Sequence, residues 1–323
     1  MILAGDVGGT STRLALFDGD VRVPARLEQY ASGEHDGLVS MVEAFIDSCG
    51  RCLADVDAAA FGVAGPVRDG CARTTNLPWP VEARRLARAL RLGRVELLND
   101  LEANGRGIAV LRDEDLEVLQ VGSPEEDGTI AVCSAGTGLG EAFLVRCGEG
   151  RWVFPSEGGH ADFAPRSEFE IELLRFVARD NEHVSYERVC SGMGLVNCYR
   201  FVASLDGGAG LSLDAATISA AALDGSDETA GAALDLMISI YGAEAGNLAL
   251  KTLATGGVYL GGGIPPKILP KLREGGFLQA FVAKGRSAPL LERMPVRVIL
   301  NDRTALIGAA LAAASSTVET TKR

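Results

Sequence analysis

Twice along this chain an apolar stretch runs into a glycine–threonine turn and straight back into a second strand. The first instance is Ile2–Val7, then Gly8-Gly9-Thr10-Ser11-Thr12, then residues 13–17. The second is residues 129–133, then Ser134-Ala135-Gly136-Thr137-Gly138-Leu139-Gly140, then residues 142–146. A dinucleotide fingerprint or a Walker loop puts a helix after its glycines, and the Walker loop also needs Gly-Lys-Ser/Thr, which does not follow here. A hairpin turn of this kind can still cradle phosphate. Glycines let the backbone come close, and successive N–H groups and a threonine hydroxyl donate to oxygens. Asp6, on the strand before the first turn, is placed to bind magnesium through water, because magnesium keeps part of its hydration shell. The plain alternative is an ordinary hairpin, a common use of Gly-Gly. The repetition favours the first reading: two such turns point to duplicated lobes that grip one nucleotide from two sides.

Residues 94–98 form a further short strand, which stops at Asn99-Asp100 before a helix over residues 101–111. A carboxylate at the carboxyl end of a buried strand sits where open α/β sheets meet their ligands. Capping of the next helix by Asn99 or Asp100 is the competing explanation.

The rest of the chain alternates in the same way. Leu38, Met41, Val42, Phe45 and Ile46 have helical spacing within residues 36–49. Residues 58–64 read as a strand ending in Gly65-Pro66, 68–73 as a turn and short strand, 75–80 as an irregular loop and 81–90 as a helix. Further helices are expected over 168–178, 195–202, 214–223, 227–253 and 304–313, and a strand over 296–300. The Ala, Leu and Ile positions of 227–253 read as core. Asn301-Asp302 repeats Asn99-Asp100 and reads as a helix cap, not a second site.

Composition narrows the function classes. With 323 residues, 47% hydrophobic and 23% charged, the chain is globular, and about 150 residues per domain suggests two domains. The apolar runs are short and broken, so no membrane span is expected. No signal peptide is visible, and the expected location is the cytoplasm. The net charge of −12 argues against a nucleic-acid surface. Phosphates held by backbone N–H groups and a cation remain compatible with it. Seven cysteines without a secretion signal read as reduced thiols. Cys49 and Cys52 make the one Cys-x-x-Cys pair, too little for a zinc site; they read as two small residues near the end of the first helix.

The paired hairpins resemble those of the actin-like ATPase superfamily of sugar kinases, heat-shock 70 proteins and actin. Tyr259-Leu260-Gly261-Gly262-Gly263-Ile264 is similar to that superfamily's adenosine loop. The resemblance narrows at Pro155-Ser156-Glu157-Gly158-Gly159-His160-Ala161-Asp162-Phe163-Ala164-Pro165. With Gly5 to Thr10, Asn99-Asp100, Gly136-Thr137-Gly138, His183-Val184-Ser185-Tyr186-Glu187-Arg188 and Phe281-Val282-Ala283-Lys284-Gly285-Arg286, this ordered set resembles the bacterial ATP-dependent glucokinases of the hexokinase-like group. It runs from residue 2 to about residue 308. The chain departs from the family pattern at Ser11, where Asn is usual, and at Met193, where Pro is usual. Met193 is expected to loosen the start of the helix after Glu187. The related repressor/kinase group carries a cysteine-rich zinc site after its Gly-His motif. No cysteine falls between Cys147 and Cys190 here, so the zinc-free branch is expected. A DNA-binding domain before the first strand is likewise not expected.

The resemblance implies a two-lobed α/β fold of the actin-like ATPase (ribonuclease H-like) kind. A small domain, residues 1–110 plus 302–323, and a large domain, residues 111–301, would flank a cleft. It implies Mg-ATP as phosphoryl donor, glucose as acceptor, a role at the entry to glycolysis and a homodimer. Asp100 would be the general base. Asn99, Glu157, His160 and Glu187 would hold the sugar. Gly5, Asp6, Val7, Gly8, Gly9, Thr10, Gly136, Thr137, Gly138, Gly261 and Gly262 would line the nucleotide site, with Asp6 orienting the magnesium through water. His183 reads as structural. Competing readings are a kinase for another hexose or using ADP or polyphosphate, and a non-catalytic sugar sensor on the same fold. A sensor would be expected to lack the base or a phosphate hairpin. An actin- or chaperone-like ATPase would lack Glu157, His160 and Glu187.

Overall fold

The computed structural model describes residues 1–51, 53–72, 77, 79–148, 150–205, 207 and 213–320. Cys52 and, in the loop over residues 75–80, Thr75, Asn76 and Pro78 lie outside the described residues. Contacts divide the chain into two units, Met1–Arg112 with Asn301–Arg323, and Asp113–Leu300.

The first unit is built on a five-stranded sheet. Ile2–Val7 and Ser11–Phe17 pair antiparallel, with Ile2 opposite Phe17 and Val7 opposite Thr12. Arg26–Ala31 extends the hairpin as an antiparallel edge. On the other side Ala58–Val63 and Val95–Asn99 add in parallel. Strand alternation gives the sheet two unlike faces. Leu3, Val7, Leu14 and Leu16 pack on Met41, Val42 and Phe45 of the helix Leu38–Ser48. Ala4, Ala15, Ala58 and Ala60 meet Ala305, Ala309 and Ala312 of the helix Thr304–Thr320. Small side chains on both sides let that helix lie close to the sheet. It also crosses the helix Asp100–Ile108 backbone to backbone: a Cβ on Gly308 would sit 1.7 Å from the Ala103 carbonyl oxygen.

The second unit holds a six-stranded sheet in the order Gly150–Ser156, Leu139–Cys147, Ile130–Ala135, Gly257–Gly261, Val296–Ile299, Leu116–Gln120. The first two pairings are antiparallel, the next two parallel and the last antiparallel. The 25-residue helix Glu228–Thr252 is the centre of its core, burying Leu234, Met237, Ile238 and Tyr241. The Tyr241 hydroxyl, deep in that core, donates to the Cys133 carbonyl at 2.7 Å, so burying it costs no lost hydrogen bond.

Several elements differ from the sequence reading. Val81 and Glu82 are not helical: they pair with Ala72 and Cys71 as a short strand, and the helix is Ala83–Ala89. The helix expected over 101–111 is Asp100–Ile108. The second hairpin is tighter than expected. Its ladder continues through Ser134 opposite Gly140 and Ala135 opposite Leu139, leaving only Gly136, Thr137 and Gly138 as the turn. The strands Gly150–Ser156 and Leu116–Gln120 were not read from the pattern at all. No helix among the described residues is long and apolar enough to cross a membrane.

Candidate active site

In the first unit, the strand Val95–Asn99 ends on Asn99, which caps the helix Asp100–Ile108. Its Oδ1 accepts from the Leu101 N–H at 2.9 Å, and its Nδ2 donates to the Gly65 carbonyl at 2.9 Å. The capping explanation therefore holds for Asn99, and one amide N–H is not used by that bond to Gly65. Asp100 follows at the first helical position, and its Oδ1 also accepts from the Leu101 N–H at 3.0 Å. Gly62 admits this turn: a Cβ there would lie 2.9 Å from the Ala103 Cβ.

The first glycine turn is tied from behind. Its Gly8 N–H donates to Ser11 O at 3.0 Å. The buried Ser32 donates its hydroxyl to Gly8 O at 2.6 Å and its N–H to Thr10 O at 3.1 Å, with Thr12 Oγ1 3.0 Å from the Ser32 hydroxyl. Gly9 and Thr10 form the tip, with Thr10 exposed. Val7 is buried, and its carbonyl accepts from Ala64 N–H. Gly5 makes room for the Phe61 ring, whose Cδ1 would be 2.4 Å from a Cβ. Asp6 is partly exposed and accepts from Arg13 Nη2 at 2.7 Å, while Arg13 Nη1 reaches Asp302 at 3.1 Å. A single carboxylate with one oxygen committed to a guanidinium cannot cage a cation. It suits a magnesium ion that arrives on a triphosphate with its waters and needs only outer contact.

In the second unit, the Gly136 N–H donates to Gly138 O at 2.8 Å, and Gly136 O accepts from the Gly192 N–H at 2.9 Å. Thr137 is exposed at the tip. The glycine segment after Gly257–Gly261 lies on this hairpin. Gly261 stands opposite Ser134, and Ile264 N–H donates to Ala135 O at 3.1 Å. Gly262 has φ +85°, and a Cβ there would meet Ala135 O at 2.2 Å, so glycine is required both for conformation and for room.

Glu157, His160 and Glu187 come together beside the same hairpin. Gly158–His160 and Tyr186–Arg188 are single 3₁₀ turns. They are held side by side by the Asp162–Ser185 bridge, by Phe163 N–H donating to Val184 O and by Tyr186 N–H donating to Ala161 O. His183 bonds Asp162 at 2.8 Å within this bridge. His160 thus stands between two carboxylates, its Nε2 3.8 Å from Glu157 Oε2 and its Nδ1 3.9 Å from Glu187 Oε1. Glu187 is the more enclosed of the acids, and its Oε2 accepts from the Leu139 N–H at 3.0 Å. Two carboxylates and a histidine, set side by side with polar atoms still open to solvent, suit a polyhydroxylated ligand, each hydroxyl of which donates and accepts.

Sequence reasoning missed four residues. Arg13 is directly opposite Asp6 in the hairpin register, so fixing the turn would have found it. Ser32, behind the first turn, carries no local signal. Glu141 and Glu244 are buried acids. Glu244 had a cue: it is the one charged residue between Asp235 and Lys251 of a largely buried helix.

Two units, each holding a glycine-turn hairpin with two parallel strands beside it, define the two-lobed actin-like ATPase fold in its sugar-kinase form. A family model described as Glucokinase matches residues 3–316. A glucokinase of Nostoc punctiforme is 43% identical over 339 residues, covering 97% of this chain and 99% of that one. The crystal structure of a glucokinase from an Antarctic psychrotroph aligns at 32% identity with a TM-score of 0.84, over 97% of this chain and 98% of that one. A Balamuthia mandrillaris glucokinase solved with glucose has the same fold, with a TM-score of 0.84 at 22% identity over 97% and 93%. The chain belongs to the glucokinase family.

Proposed function

We propose that the protein transfers the γ-phosphoryl group of ATP to the 6-hydroxyl of glucose, yielding glucose 6-phosphate and ADP at the entry to glycolysis. The observation that carries this reading is His160 held between Glu157 and Glu187, with Glu187 bonded to the strand that follows the second glycine turn. Asp100 accepts the proton of the 6-hydroxyl as it attacks phosphorus, which removes the charge that would build on the nucleophile. Asn99, Glu157, His160 and Glu187 bond the sugar hydroxyls. A sugar lacking one of those hydroxyls leaves a polar partner unsatisfied, which is a source of hexose selection. Backbone N–H groups around Gly8, Gly9 and Thr10 and around Gly136, Thr137 and Gly138 receive the phosphate oxygens. Gly261 and Gly262 bring the backbone close to the adenosine. Magnesium, carried by ATP and oriented through water by Asp6, supplies charge neutralisation at the phosphates. The family resemblance supports a cytoplasmic homodimer.

The test is product formation from Mg-ATP with glucose, mannose, fructose, galactose, N-acetylglucosamine and N-acetylmannosamine, with ADP plus glucose as control. Glucose-selective formation of glucose 6-phosphate is expected. Transfer to a different hexose would keep the chemistry and discard glucose as the substrate. Binding of glucose without transfer would leave a sensor.

A further inference from the structure

Beneath the two turns that carry Glu157, His160 and Glu187 lies a pair of carboxyls that the reaction does not use. Glu141 is the third residue of the strand Leu139–Cys147, and Glu244 lies in the middle of the helix Glu228–Thr252. They are 2% and 0% exposed. Oε1 of each is buried and has no hydrogen-bond partner. Two ionised carboxylates in one buried place repel each other and lose their hydration. Burial and the Glu244 charge push the Glu141 carboxyl up to about 8.

Each acid also reaches one of the turns. Glu141 Oε2 lies against Gly158, where a Cβ would come within 1.9 Å of it. Glu244 Oε2 accepts from Asn247 Nδ2 at 2.8 Å, and the same amide donates to the Tyr186 hydroxyl at 2.9 Å. Tyr186 immediately precedes Glu187. Lys284 anchors this amide from the other side, donating to Asn247 Oδ1 and to Ala243 O. The titratable groups around the pair are Lys251, Lys284, Tyr186, Tyr241, Cys133 and Cys190. Of these the lysines are the cations. Lys251 is exposed, with its Nζ 3.7 Å from Glu244 Oε1, and burial lowers the pKa of Lys284. The two cysteine thiols and both tyrosine hydroxyls are pushed up by burial and stay neutral.

We propose that Glu141 and Glu244 share one proton, a carboxylic acid donating to a carboxylate, and that this bond sets the spacing of the turns Gly158–His160 and Tyr186–Arg188. Both are positioning residues, and the effect on glucose rests on the function proposed above. Loss of the shared proton places two like charges in contact. Relief requires Glu141 to press on Gly158 or Glu244 to pull on Asn247 and Tyr186, and either movement shifts a sugar-binding turn. Because folding raises the carboxyl pKa, the shared proton contributes stability at low pH that is lost as pH rises through about 8.

Glu141→Gln keeps the shape and donates an amide N–H to Glu244 at every pH; Glu244→Gln does the same from the other side. In the unmodified protein the KM for glucose is expected to be flat below about pH 7 and to rise above the pKa, by at most about tenfold per pH unit. In the two variants that rise is absent, and kcat near neutral pH is unchanged. The second readout needs neither sugar nor catalysis: the Tm of the unmodified protein falls more steeply between about pH 5 and about pH 8 than that of either variant, and the profiles run parallel above that. Parallel Tm profiles would overturn the shared proton. Distinct Tm profiles with an identical rise in KM would overturn the positioning role. Distinct Tm profiles in a protein that does not phosphorylate glucose would support the shared proton and overturn the proposed function instead.

Discussion

The two units repeat one plan and differ at its ends. In each, an edge strand, a hairpin and two parallel strands follow in the same order, and Leu116–Gln120 is an addition to the second sheet alone. The last parallel strand of each sheet is followed by an Asn-Asp pair, both of them within the first unit. Asn99 accepts from the N–H of Leu101, and Asn301 accepts from the N–H of Arg303. The local device is the same turn, made for the same reason: a short amide satisfies an N–H that the starting helix leaves unpaired. The aspartates differ. Asp302 is 83% exposed and bonded to Arg13, which also holds Asp6. Asp100 sits over Gly62 at the end of the other sheet. A shared motif therefore fixes local backbone shape, while the surroundings of its second residue differ.

Paired substitutions test this contrast. Asp100→Asn is expected to lower kcat by about a thousandfold or more while glucose still binds, since a general base contributes that order. Asp302→Asn, which removes only an exposed ion pair, should change kcat by less than about twofold. Similar losses in steady-state kinetics would break the contrast. Next in size is Glu157→Gln, for which the KM for glucose should rise about tenfold with kcat nearly unchanged. A fall confined to kcat would move Glu157 from binding to chemistry. The hairpin turns give a smaller, sharper comparison. A Cβ at Gly138 would lie 2.2 Å from Glu187 Oε2, whereas one at Gly136 meets nothing closer than 3.9 Å. Gly138→Ala should therefore raise the glucose KM about fivefold by displacing Glu187, and Gly136→Ala should leave it unchanged. The smallest effect is expected from Met193→Pro. Met193 is the second residue of the helix Gly192–Leu205, where a backbone N–H has no helical acceptor. Proline there should stabilise by about 0.5 kcal/mol, read as a small rise in Tm.

Much of the fold was legible because its signals are local. Ile2–Val7 and its glycine turn could be bounded from residues alone, as could the helix that buries Leu38, Met41, Val42, Phe45 and Ile46. The missed strand Gly150–Ser156 contains Pro155, which weakens a strand reading, and leaves Trp152 exposed, against the usual alternation. The short helices Leu269–Arg273, Gly276–Val282 and Ala288–Arg293 span too few turns for a period to show. For the candidate site, residue types were readable and partnerships were not. His160 and Glu187 are 27 positions apart, and the backbone pairing around Asp162 and Ser185 brings their turns together. Glu141 and Glu244 meet through a strand and a helix more than a hundred residues apart in sequence, with nothing near either to announce the other.

The helix Thr304–Thr320 has a consequence for synthesis. It covers the alanine face of a sheet whose five strands are all complete by Asn99. On the ribosome, which delivers the chain from its amino end, that face waits uncovered while residues 113–300 emerge. The second unit is continuous in sequence and can fold during that interval. The unit that is begun first is closed last.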